Sequence, residues 1–302
     1  MTGETTSSGQ AGSSGQAGSS GRSDEDATDS PAGTDEAAST DSPKSTMTAG
    51  ASANDVRVES EVGSVLVAGA SGGTGRRLLG VLGETDLRVR ALTTSPEKRG
   101  DLRELGADEV VVGNLLEDGA AARAVGQGRE DGPVPGSVDA VLCAVGSTVK
   151  QVLLADRLVD GPGVVTLARA SAHAGVDRFV FQSAIGVGNS RERAPLPYRL
   201  PISRTLDAKG RAEDALRELD LAHTIVRTGM LTNGPERRDA VVAEGGDTVF
   251  GMISRADVAH LMVAALGTPE AENRTFEVVS DRWTWGDQFG LVEIEWAEPS
   301  EL

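Results

Sequence analysis

The chain has 302 residues, a formal charge of −17 from 46 Asp and Glu against 29 Lys and Arg, and one cysteine. That single thiol, Cys143, excludes internal disulfides and any multi-thiolate metal site, and an acidic surplus without a basic stripe speaks against binding nucleic acid through its phosphates. The only lysines are Lys44, Lys98, Lys150 and Lys209, and scarce lysine with surplus carboxylate is the composition of a halophilic protein kept hydrated in concentrated salt.

Residues 1–60 are rich in Gly, Ser, Thr, Ala and Asp, and Ser-Ser-Gly-Gln-Ala-Gly occurs at 7–12 and again at 13–18. Such a segment has almost nothing apolar to offset its ordering entropy, so a disordered acidic tail is expected, with the folded domain at 61–302. Met47 stands as an alternative start. The tail lacks the apolar stretch of a secretory signal and the arginine-rich, acid-poor character of a transit peptide. No later run is long and apolar enough to span a bilayer, so a cytoplasmic protein without a membrane partner is expected.

Val65-Leu66-Val67-Ala68 reads as a short buried strand. It feeds the turn Gly69-Ala-Ser71-Gly72-Gly73-Thr74-Gly75, which opens a helix carrying Leu78, Leu79, Val81 and Leu82. Dinucleotide binding needs that order. Gly69 can take the tight turn, Gly72 admits a pyrophosphate to the backbone N–H groups, and Gly75 lets the helix sit close on the strand. The helix N-terminus then favours negative charge.

Leu87–Thr93 alternates as a second strand, 96–105 is helical, and Glu109–Val112 is a third strand. A helix near 118–125, a Gly/Pro-rich loop at 126–137 and a strand at 139–145 follow. Then come a helix from Gly163 to Gly175, a strand from Asp177 to Ser183, a helix from Leu206 to Leu219 and a strand from His223 to Arg227. Short apolar strands alternating with helices predict a doubly wound α/β fold with a parallel sheet, its ligand at the carboxyl ends of the strands. After Arg227, an apolar helix at 257–266 and a strand at 275–279 are expected to form a small C-terminal substrate-side lobe and a sheet edge. The irregular segments 146–165, 186–205 and 228–253 are expected to build the second-substrate pocket, and no polar constellation stands out in them.

Gly69-Ala-Ser-Gly-Gly-Thr-Gly75, Ala91-Leu-Thr-Thr-Ser-Pro-Glu-Lys98, Val112-Gly-Asn-Leu-Leu116, Phe181-Gln-Ser-Ala184, Lys209-Gly-Arg-Ala-Glu213, Ile225-Val-Arg-Thr-Gly229 and Ser254-Arg-Ala-Asp-Val-Ala259 follow one another in that order. Over about residues 63–280 this series resembles the atypical short-chain dehydrogenase/reductase superfamily. The likeness is to its NAD(P)H-binding branch, related to flavin and biliverdin reductases and to NmrA-type nucleotide sensors. The resemblance implies an NAD(P)-binding Rossmann fold. It implies a cofactor site at Gly69, Ser71, Gly72, Gly73, Thr74, Gly75, Arg76, Thr94, Asn114, Leu115, Gly146 and Lys209, with Ser183 and Lys209 as catalytic residues. Two functions compete: an oxidoreductase passing hydride from NADPH to a flavin, quinone or similar small acceptor, and a non-catalytic NADP(H)-sensing module.

Typical members of the wider superfamily carry Tyr-x-x-x-Lys, in which the ammonium lowers the phenol's pKa so that it can pass a proton. Here Thr205 stands four residues before Lys209. The only tyrosine, Tyr198, lies in Pro195-Leu-Pro-Tyr-Arg and reads as a lid or surface residue. Positions 92–95 are Leu-Thr-Thr-Ser, so no carboxylate repels a 2′-phosphate, and Arg76, Lys98 and Arg99 can supply cations; NADP(H) is therefore expected over NAD(H). Many relatives carry Arg where Thr94 stands. Arg77 reads as exposed helix charge, Cys143 as a core residue, and Glu213 and Asp257 either as helix-orienting groups or as solvated or capping charges. His173, His223 and His260 are too scattered for a metal site.

Overall fold

The computed structural model describes residues 62–126, 136–246 and 248–302. The expected tail and most of the Gly/Pro-rich loop lie outside them.

β1 (Ser64–Ala68), β2 (Arg88–Thr93), β3 (Glu109–Val112), β4 (Ala140–Cys143), β5 (Arg178–Ala184) and β6 (Ala222–Thr228) pair in the order 3-2-1-4-5-6, all parallel. The late strand continues the sheet on β6, also parallel, over Arg274–Ser280. An antiparallel strand at Ala240–Glu244 closes the edge. We number these β10 and β8, because β7 (Met230–Thr232) and β9 (Met252–Ser254) form a separate two-stranded parallel ribbon.

Both faces of the sheet are covered, and the strand sequences show why. In β1, Val65 and Val67 point to one core cluster and Leu66 and Ala68 to the other, so every position after Ser64 is apolar. On the first face lie α1 (Gly73–Leu82), through Leu78, Leu79 and Leu82, and α2 (Arg99–Glu104), through Leu102. On the second lie α3 (Ala120–Val125), α5 (Pro162–Ala174) and α7 (Ser203–Arg217), through Ala124, Val164, Leu167, Ala212 and Leu216. Two short helices, α4 (Val149–Leu154) and α6 (Leu196–Arg199), sit in segments expected to be irregular.

The helix read at 257–266 is α8 (Arg255–Ala264). Its Val258, Met262 and Val263 join the cluster of α1, so it is a layer helix on the first face and not part of the substrate-side lobe. The small cluster of Ile185, Ala194, Val249, Phe250 and Val279, with Tyr198 and Met230 against it, forms the core of that lobe. The predicted helix at 96–105 opens as a 3-10 turn at Pro96–Lys98, with Pro96 in the first turn where its missing N–H loses no ladder bond.

Candidate functional site

In a parallel sheet the strand register decides which loops meet. Ala68 lies beside Leu92 on one side and Cys143 on the other, and Cys143 beside Phe181. One residue past Ala68 and Cys143 the chain leaves the sheet at Gly69 and Ala144, and β2 runs one residue longer, leaving it at Thr94. The loops after β1 and β4 diverge to opposite sides there, which is where a doubly wound sheet opens its crevice.

Gly69 turns with φ +81°, and a Cβ on it would lie 2.7 Å from Ala144 O, so β1 and β4 loops are in backbone contact. A Cβ on Gly75 would overlap Gly69 O, which is how α1 sits directly on the turn. Gly72 caps α1 in extended conformation (φ −78°, ψ 173°) with no side chain on the first-turn N–H groups and no acidic residue in that turn. The free N–H groups of Gly73, Thr74 and Gly75 make an anion cradle. Thr93 Oγ1 donates to Ser71 Oγ at 3.2 Å, tying the end of β2 to the turn.

Cations flank the cradle. Arg76 is exposed in the first turn. Arg77 donates to Gly73 O (2.8 Å), so it is not the free surface charge expected. Arg255, the first residue of α8, passes over Gly73, where a Cβ would meet its Cδ and Nε at 2.8 Å, and donates to Asn233 Oδ1 at 2.8 Å. Burial and the neighbouring Arg77 push the Arg255 guanidinium below its ordinary pKa. Sequence reading quoted Arg255 only as part of a motif. Thr94 is exposed just past β2, Asn114 Oδ1 accepts from Leu116 N (3.1 Å) in the turn after β3, and Leu115 is buried beneath it.

Lys209 is 8% exposed, and its Nζ donates to Gln182 O at 2.8 Å, reaches Val145 O at 3.5 Å and lies 4.9 Å over the Phe181 ring. Asp160 is fully buried, with Oδ2 accepting from Ser147 N (2.8 Å) and Oδ1 3.8 Å from Lys209 Nζ. Oδ1 has no hydrogen-bond partner, nor do Ser147 Oγ and Thr205 Oγ1. Segment 146–165 therefore holds a polar constellation that sequence reading missed. The only signal was Asp160-Gly-Pro-Gly163 ahead of a helix, a turn whose Gly161 brings Asp160 against α7 at Ala208.

Ser183, Arg227 and Glu277 are register partners on one rung of β5, β6 and β10, all on the α7 face. Glu213 meets them from α7. Ser183 Oγ donates to Glu213 Oε1 (2.6 Å), and Arg227 forks onto the same carboxylate through Nε (3.0 Å) and Nη2 (2.7 Å). Arg227 Nη1 also reaches Glu277 Oε1 (3.2 Å), Thr248 Oγ1 donates to Glu277 Oε2 (2.5 Å), and Arg217 pairs with Glu213 at 2.9 Å. Burial would raise the Glu213 carboxyl, but the hydrogen bonds and charge of Arg227, with Ser183 and Arg217, outweigh it and hold it below its ordinary value. The solvated reading of Glu213 is thus corrected, and that of Asp257 too. Asp257 is buried, accepts from Arg237 N (2.7 Å) and Arg238 N (2.9 Å), and orients the start of α8.

Tyr198 packs edge-on against Phe250 (5.2 Å between centroids), and burial pushes its phenol up to about 12. Burial pushes the Cys143 thiol up to about 11. His173 is exposed at the end of α5, His223 is buried with Nδ1 3.0 Å from Leu221 O, and His260 faces Glu236 at 3.4 Å. Among the described residues no three His, Cys, Asp or Glu come together as metal ligands, and no helix is long and apolar enough to cross a membrane.

A dinucleotide fits these residues on two observations: the uncapped first turn of α1, with no side chain on its N–H groups and no acid beside them, and the buried Asp160 Oδ1 without a hydrogen bond beside Lys209. Residues 69–269 match the protein family described as NAD(P)H-binding. The chain is 31% identical over 217 residues to the Bacillus subtilis protein named "Uncharacterized sugar epimerase YhfK", covering 71% of this chain and 92% of that one. It is 28% identical to the Photosystem II assembly factor Ycf39 of Synechocystis, covering 74% of this chain and 64% of that one. Among solved structures, a Bacillus halodurans protein described as an NAD-dependent epimerase/dehydratase superposes with TM-score 0.60 at 28% identity, covering 74% and 95% of the two chains. ChuY, an anaerobilin reductase from Escherichia coli, superposes with TM-score 0.61 at 21% identity over 72% and 97%, a likeness of fold.

Proposed function

The chain belongs to the NAD(P)H-binding family, and from that premise we propose that it is an NADPH-dependent oxidoreductase reducing a flavin, quinone or similar planar acceptor. The observation that carries the reading is Lys209, a buried ammonium held at the carboxyl ends of β4 and β5, in the crevice that the glycine turn opens.

Gly69, Ser71, Gly72, Gly73, Thr74 and Gly75 would hold the pyrophosphate, with Arg76 and Thr94 on the 2′-phosphate side and Asn114 and Leu115 on the adenine side. Gly146 and Lys209 would hold the nicotinamide ribose. The cofactor supplies the hydride, which is why an acceptor that takes it directly needs no phenol beside Lys209. Ser183 acts as a positioning residue, since its proton is given to Glu213 and its lone pairs alone can face a ligand. Exposed leucines on α4 (Leu153, Leu154) and α6 (Leu196, Leu200) flank the start of α7, where Arg204 holds the carbonyls of Val152 (2.6 Å) and Ala155 (2.7 Å). Apolar surface of that kind suits a planar apolar acceptor. The lysine-poor, acidic composition supports a protein working in concentrated salt.

A second reading, a non-catalytic module that reports the NADP(H) pool to a partner, is favoured by the engagement of the Ser183 hydroxyl with Glu213 and by the family relative named as an assembly factor. NADPH oxidation against a panel of flavins and quinones at molar salt separates the two. Turnover that falls with Lys209→Ala supports the reductase. Tight NADP(H) binding with no turnover on any acceptor, and a protein that co-purifies, supports the sensor.

A further inference from the structure

Asp160 is a carboxylate with nothing on one oxygen. It is fully buried, its Oδ2 is satisfied by Ser147 N, and its Oδ1 stands 3.8 Å from Lys209 Nζ. That gap is too long for a direct hydrogen bond. A single oxygen can bridge it with two hydrogen bonds of about 2.8 Å that meet at a tight angle of roughly 90°, donating to the carboxylate and accepting from the ammonium. A hydroxyl group does both at once. Leaving Oδ1 bare is costly in a buried site, so the fold retains a polar group that a ligand completes.

Only Gly146 stands between this buried oxygen and the crevice: it is exposed, carries no side chain, and a Cβ there would lie 3.7 Å from Asp160 Oδ1. Two further unpartnered hydroxyls lie nearby in the chain: Ser147 Oγ, whose own N–H is on Asp160, and Thr205 Oγ1, one helical turn before Lys209 on α7.

We propose that Asp160 is a ligand-binding residue whose free oxygen accepts the proton of a hydroxyl on the nicotinamide-side ribose while Lys209 donates to the same oxygen. The inference rests on the dinucleotide reading above. It assigns the acidic half of the ribose site to a residue in a segment where the sequence showed no polar group of note.

The test compares two probes by titration calorimetry on the full chain at molar salt: NADPH, and adenosine 2′,5′-bisphosphate, which shares the adenine side but has no nicotinamide ribose. Asp160→Asn keeps an oxygen for Ser147 N and loses the charge. It should weaken NADPH by about tenfold or more and leave the bisphosphate unchanged. Gly146→Ala, whose Cβ would sit in contact with Oδ1 at 3.7 Å and cover its crevice side while leaving the carboxylate itself unchanged, should show the same selectivity, and unliganded thermal melts report whether either variant has lost its fold. NADPH affinity unchanged in both variants, or both probes weakened alike, overturns the proposal and leaves the dinucleotide site standing. A wild-type protein that binds neither probe overturns that site as well.

Discussion

Ser183 on β5 and Glu213 on α7 share a 2.6 Å hydrogen bond, and it runs from the serine to the carboxylate. Arg227 clamps the other side of Glu213 and, through Glu277, ties β10 to the same point. Ser183→Ala should therefore lower stability by about 1–3 kcal/mol. Arg227→Met, which strands two buried carboxylates, should cost about 3–5 kcal/mol. Denaturant unfolding of the two variants checks the order, and an Arg227→Met loss no larger than that of Ser183→Ala would contradict the network.

The same network sets an acid limb. The Glu213 carboxyl is held low in the folded chain, so its contribution is complete above the ordinary glutamate value of about 4.3 and is lost as pH falls through the lower folded value. Glu213→Gln should be less stable than wild type near neutral pH, and the gap should close below about pH 4. A gap that stays constant through that range would show that Glu213 is not ionised in the fold.

Tyr198 offers a separate check on the absence of a phenolic acid. Its phenol is pushed up to about 12 and packs on Phe250. Tyr198→Phe should leave NADPH oxidation within about twofold of wild type, whereas a general acid typically contributes about a hundredfold or more. A hundredfold fall in kcat would restore Tyr198 as the proton donor.

Much of the fold was legible because the central strands are apolar on both faces, as Val65 to Ala68 and Ala140 to Cys143 show, and because the glycine turn has a fixed place between strand and helix. The elements that escaped are short and held by contacts instead of periodicity. α4 is closed by a capping box between Thr148 and Gln151, a signal the sequence carries, while β7 and β9 exist only as each other's partners. Lys209 and Ser183 were readable from motifs, but not what they touch. Asp160 meets Lys209 only through the packing of Gly161 on α7, and Arg227 meets Glu277 only through the register of β6 and β10. The stripe Thr205, Lys209, Glu213 and Arg217, four apart on α7, was read only as the spacing of Thr205 and Lys209 and the motif ending at Glu213, not as one polar face reaching Arg217.

The most direct measurement is equilibrium titration of NADPH and NADH into wild type, Arg76→Ala and Gly72→Val. Gly72 is extended, so its backbone angles admit a side chain, but a Cβ there would lie 3.1 Å from Gly69 O; valine fills the phosphate cradle and presses on the turn, and an unliganded thermal melt reports whether the variant keeps its fold. The predicted result is tighter NADPH than NADH in wild type, a preference narrowed by about tenfold in Arg76→Ala, and no binding of either by a folded Gly72→Val. Undiminished NADPH binding by Gly72→Val would contradict the site, and NADH binding as tight as NADPH by wild type would contradict the preference.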